Sequence, residues 1–227
     1  MQETTKERTV GIPLGERIMH GWLYVITGIG GFLFAMTLAK GTMWPTWKHL
    51  AAWGTIILVL HVLEEWKFPR GFFSMYNIQH GTTEENSDRY PMSQETDMLT
   101  NFIPIVYGLV ILLSDAPSFL GLPFLGLSLM EVIVHTMAGF QMQHRFAKKT
   151  IYNPGFITSW LGFFPLFLAY IIAFAKEGLP SVKDILLAFL VTFIMTKCCI
   201  NGAEKVFKKK DSPYPYTWGK GYFKKFG

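Results

Sequence analysis

Six blocks of apolar residues divide this 227-residue chain. They fall at roughly 20–39, 49–66, 99–114, 118–142, 154–175 and 182–201, each close to the length a helix needs to cross bilayer hydrocarbon. The blocks are apolar around the whole helical circumference, which removes the polar face that a water-soluble bundle keeps. Half of the residues are hydrophobic and only 16% are charged. The expected fold is therefore all-α, a polytopic membrane bundle of about six transmembrane helices. The first block is too long for a signal-peptide core and lacks a small-residue cleavage site before Lys40, so it reads as a retained span. The sequence carries no dinucleotide fingerprint, phosphate loop or internal repeat.

Orientation follows from the basic residues. With the N-terminus in the cytoplasm, that side collects most of them, including Lys67, Arg70, Arg145, Lys148, Lys208, Lys209 and Lys210, while Lys40, Lys48, Lys176 and Lys183 fall opposite. Both termini are therefore expected to be cytoplasmic. Three segments result: a cytoplasmic N-terminal segment over 1–19, a transmembrane domain over 20–201 with a cytoplasmic loop near 67–98, and a basic, aromatic tail over 202–227. The tail mixes lysines with aromatics, a composition suited to an anionic inner leaflet. Topology already accounts for these lysines, so no nucleic-acid partner is expected. The expected location is the cell (inner) membrane of a bacterium.

Ionisable groups inside such spans are costly unless something uses them. The stretch LVLHVLEEWKFPRGF, residues 58–72, ends the second span in His61, Glu64 and Glu65. At about 100° per residue these three share one side of a helix, and Glu131 and His135 in the fourth span form a second pair one turn apart. Asn101 opens the third span. The topology puts all six in the cytoplasmic half of the membrane, where they can converge on the bundle interior. Imidazole and carboxylate together suit a divalent transition metal such as zinc, iron or manganese, either one ion with an open position or a pair. His61, Glu65 and His135 are the preferred ligands. Glu64 or Glu131 is then a general base or a further ligand, and Asn101 orients a ligand or donates to a substrate oxygen. On this reading the protein is a metal-dependent enzyme, a hydrolase in preference to an oxidoreductase, acting on a lipid-like or amphiphilic substrate at the cytoplasmic leaflet.

Other readings stay open on the same residues. A Glu and His pair can shuttle protons without metal in an isomerase or cyclase. Intramembrane Glu and His also mark ion or small-molecule transport paths, although the cluster lies to one side of the midplane and no inverted repeat is evident. A structural polar network is the bland alternative. The zinc-protease helix motif needs two histidines four apart around a glutamate, and HVLEE has only one.

HVLEEWKFPRGF resembles the signature of the HXXEE-domain family of small integral membrane proteins. The likeness extends to Asn101 opening the third span, to the histidine of MEVIVH and to the YNPGFIT stretch leading into the fifth, covering roughly residues 50–175. The resemblance implies a membrane-bound metalloenzyme with its polar residues at the site.

The remaining features read as structure. Thr27, Gly31 and Ala35 recur every four residues, a small-residue face suited to close helix packing. Asn153 of Tyr152-Asn153-Pro154-Gly155 can cap the fifth span. In the loop, Phe68, Phe72, Phe73 and Tyr76 are expected at the membrane surface, and Glu84, Glu85, Asp88, Glu95 and Asp97 in solvent. His80 can reach the site only if this loop closes as a lid. His20, His49 and His144 read as interfacial or surface residues, Lys197 as snorkelling from the sixth span, and the adjacent Cys198 and Cys199 as unpaired.

Overall fold

The computed structural model describes residues 14–83 and 86–216. The first 13 residues, Glu84, Glu85 and the tail beyond Tyr216 lie outside the described residues. The architecture is an all-helical bundle with no strand among the described residues. In chain order the helices are α1 (Leu14–Lys40), α2 (Thr46–Trp66), α3 (Phe72–Gln79), α4 (Gln94–Leu113), α5 (Pro123–Arg145), α6 (Phe156–Glu177) and α7 (Val182–Phe207). All but the short α3 are long and apolar enough to cross a membrane, which makes this a membrane protein. The helix limits follow local chemistry. Pro45 precedes α2, Pro123 opens α5 where its missing N–H is not needed, and Ser93 and Ser181 cap α4 and α7 by accepting from Thr96 N and Asp184 N. Gly178 ends α6 with φ 96°, a conformation that excludes most side chains.

α2 is the hub of the bundle, packing against α1, α4, α5 and α6. Two glycines permit its closest approaches. A Cβ on Gly54 would stand 2.7 Å from the Phe124 ring, and one on Gly108 would collide with Thr55. α1 buries Trp22, Leu23, Ile26, Gly30, Leu33 and Thr37, the 3–4 spacing of one helical stripe. The close contact on α1 is consequently Gly30 against Val59. The expected face of Thr27, Gly31 and Ala35 is exposed, with open space beside Gly31. α6 and α7 each contain a π-helical turn, at Ser159–Phe163 and Thr196–Gly202. Each widens the helix by one residue, and the first lies beside the polar cluster.

The segment between α2 and α4 departs from the expected solvated loop. Asn77 is fully buried and staples it, donating to the carbonyls of Ser87 and Met92 and accepting from Met92 N at 2.8 Å. Phe73 is buried and Phe72 half-buried, leaving Phe68 as the exposed aromatic. Asp97 is buried, accepting from Trp66 Nε1 at 2.5 Å, because α4 begins at Gln94 and carries it into the bundle. Glu95 accepts from Ser212. The described part of the tail likewise folds back on this segment instead of lying free for a leaflet. Tyr216 stacks on Phe73 with centroids 4.2 Å apart, meets Trp66 edge-on and donates its hydroxyl to Ser93 O at 2.9 Å. Burial pushes the Tyr216 hydroxyl well above its ordinary range, so it remains a donor. Lys208 and Lys210 lie over the Tyr90 ring.

Candidate metal centre

α2 and α5 approach each other at the end of the bundle that carries α3, and their polar residues meet there. His61 and Glu65 lie one turn apart on α2; Glu131 and His135 lie one turn apart on α5. Nε2 of His61 is 3.4 Å from Glu65 Oε1 and 3.5 Å from Glu131 Oε2. Nε2 of His135 is also 3.4 Å from Glu65 Oε1 and 3.5 Å from Glu131 Oε2. Two imidazole nitrogens and two carboxylate oxygens thus alternate around a ring. These sides are too long for charge-assisted hydrogen bonds, which run to about 2.7–2.9 Å. Sides of this length leave room for an ion between the donors, and the ligand atoms of His61, Glu65 and His135 all lie within 4.8 Å of one another.

The hydrogen-bond partners behind the rings fix their tautomers. Asn153 Nδ2 donates to His135 O at 2.8 Å and to Ile151 O, so its Oδ1 is turned to accept from His135 Nδ1 at 2.8 Å. His61 Nδ1 lies 2.8 Å from Thr158 Oγ1, whose single hydrogen is drawn to Glu64 Oε2 at 2.7 Å. The threonine oxygen is therefore left to accept from His61 Nδ1. Both imidazoles therefore donate from Nδ1 and turn Nε2 toward the carboxylates, where it offers a lone pair when the ring is neutral. Metal-binding histidines are commonly held in this way from behind. Without a cation or extra protons, the ring is a buried set of four acceptors, which is strongly unfavourable. Phe72 packs 5.3 Å from the His135 ring and Phe163 5.4 Å from the His61 ring. His61 and His135 are 3% and 1% exposed, while the Glu131 side chain, at 15%, is the accessible member.

Among the described residues, His61, Glu65 and His135 form a buried group able to hold a metal ion. Glu131 completes the ring, as a further ligand or a base. Glu64 has a different position from the one expected of a base or ligand. Its carboxylate accepts from Thr158 N at 2.8 Å, Ile157 N at 3.1 Å, Thr158 Oγ1 and the Tyr152 hydroxyl, so it satisfies the first turn of α6 from outside. Asn101 gives its amide hydrogens to Asp97 O and Oδ1, at 3.1 and 3.0 Å, and so holds Asp97 instead of a ring member. Asn153 does not cap α6. Gly155, with φ 94°, precedes that helix, and a Cβ there would run into the His135 ring, so a glycine is required on both counts. His80 is exposed and stacked on Tyr76, and His144 is exposed. Lys197 is exposed beside the Phe193 ring. Sequence reasoning missed Thr158 as a support for His61 and Asn153 as a support for His135. Their only signal was a polar Asn and Thr flanking the start of an otherwise apolar span.

Comparison with curated proteins and with solved structures finds no match. The His61-Val62-Leu63-Glu64-Glu65 run that supplies two members of the ring is an HXXEE motif. Residues 52–170, which hold both faces of the ring and the Asn153 and Thr158 supports, match the family described as proteins of unknown function with an HXXEE motif, and the chain belongs to that family.

Proposed function

We propose that this protein is a membrane-embedded, metal-dependent enzyme, a hydrolase in preference to an oxidoreductase, acting on an amphiphilic, lipid-like substrate. One observation carries the reading: two imidazole Nε2 atoms and two carboxylate oxygens face one another at 3.4–3.5 Å with both Nδ1 positions occupied from behind. His61, Glu65 and His135 would hold a zinc, iron or manganese ion, with a position left open beside Glu131. When bound, such an ion supplies Lewis acidity to water or to a substrate oxygen.

The residues of the chain supply the rest. Thr158 and Asn153 hold the imidazoles in register, and Phe72 and Phe163 keep water from their flanks. Glu131, the accessible carboxylate, is placed to take and return a proton at Oε1 or Oε2. An amphiphilic substrate is favoured because Glu131 sits on a face of α5 that is otherwise greasy, with Met130 and Val134 both 44% exposed. The basic residues at this end, among them Lys67, Arg70, Arg145 and Lys149, support a site at the cytoplasmic leaflet, with the cell membrane of a bacterium as its expected home.

The test is a comparison of product formation. Vesicles of total lipid extract are incubated with reconstituted wild type, with chelator-stripped protein and with Glu131→Gln, and their lipids are compared by untargeted mass spectrometry. The expected result is a product that appears with wild type, disappears on stripping and falls at least about 100-fold in Glu131→Gln. A product that survives stripping would replace this reading with metal-free acid–base catalysis. Solute flux without product would replace it with transport.

A further inference from the structure

Beside Glu65, a small hollow opens at the start of α3. Its volume is about 10 Å³, room for one oxygen atom, and Arg70, Ser74 and Tyr216 line it with Glu65. Three features make it electropositive or donor-rich. The eight-residue α3 has Gly71 before its first turn and no side chain capping it, so its leading amides point out of the helix end. Arg70 is exposed and has no carboxylate partner among the described residues. Ser74 is 2% exposed, lines the hollow, and its hydroxyl has no hydrogen-bond partner among the described residues. The hydroxyl opens on the hollow and is free to meet a ligand atom there.

We infer that this hollow is a subsite for one oxygen of an oxyanion, a phosphate or carboxylate, with the remainder of the group lying at the mouth against Arg70. The guanidinium supplies charge and paired donors, and Ser74 and the first amides of α3 supply the hydrogen bonds. Phe68, 75% exposed next to this mouth in the chain, suits a group presented from a lipid surface. The assignment rests on the metal reading in one respect: a cation shared by Glu65 offsets that carboxylate's repulsion of an incoming anion. It deepens that reading by giving the amphiphilic substrate an anionic head.

The protein is placed in nanodiscs of phosphatidylcholine, and its thermal midpoint is followed with two probes, inorganic phosphate in the buffer and phosphatidic acid in the bilayer. Metal content is measured on the same samples. A rise of roughly 4 °C at saturation is expected in wild type. Arg70→Gln should lose most of it and Ser74→Ala about half, whereas Lys149→Gln, an exposed lysine at the same end, should keep it. A response to both probes identifies a free oxyanion as sufficient, and a response to phosphatidic acid alone identifies a lipid headgroup. No rise with either probe in metal-loaded protein, or an equal rise in wild type and Arg70→Gln, would overturn the subsite and leave the metal reading standing. Metal-free wild type that still shows an Arg70-dependent rise would overturn the metal reading and leave the subsite.

Discussion

Glu64 and Glu65 are neighbours in the chain and equally hidden, at 6% and 4% exposure, yet their surroundings are opposite. Glu64 faces the first turn of α6, where two backbone amides and two hydroxyls donate to it. Glu65 faces two imidazole nitrogens whose rings are hydrogen-bonded from the far side, and a second carboxylate beyond them. A step of about 100° around one helix turns a carboxylate from a structural anion into a member of an acceptor ring. Charge and burial alone do not distinguish the two residues; the donors around them do.

That contrast can be broken or sharpened by substitution. The largest effect is expected at the ring: His135→Ala or His61→Ala should lower metal affinity by more than about 100-fold, beyond the range typical of outer partners, as read by elemental analysis after dialysis. Next comes Glu64→Ala, which strips the cap from α6. It should cost about 3 kcal/mol, a fall of roughly 6–12 °C in Tm, while the folded fraction keeps its metal because the Thr158 hydroxyl retains Gly155 O as an acceptor. Loss of metal in that variant would place Glu64 in the ring's function after all. Asn153→Ala frees His135 Nδ1 and should weaken metal binding by about 10–100-fold with a smaller change in Tm. Asn101→Ala should be the mildest, about 1 kcal/mol of stability with unchanged metal content, because its hydrogen bonds go to Asp97.

The bundle was legible because bilayer-length apolar blocks leave few alternatives, and His61, Glu65, Glu131 and His135 announced themselves as ionisable residues one turn apart in such blocks. Depth and helix phase were enough to bring them together. Glu64 was not separable from Glu65 in the sequence, since its partners are backbone amides ninety residues away, and backbone donors leave no compositional trace. Thr158 and Asn153 were hidden for a related reason: capping residues and imidazole supports are drawn from the same short polar side chains. The segment 67–98 misled in the other direction. Its charges suggested solvent, but Asp97 falls within α4, and Asn77 and Tyr216 fold the connection onto the bundle.

The most direct measurement is the transition-metal content per chain of wild type, Glu64→Gln and Glu65→Gln, purified side by side without chelator. About one ion per chain is expected in wild type and in Glu64→Gln, and a near-complete loss in Glu65→Gln. Wild type free of metal, or Glu65→Gln retaining as much as wild type, would contradict the division of roles between these two carboxylates.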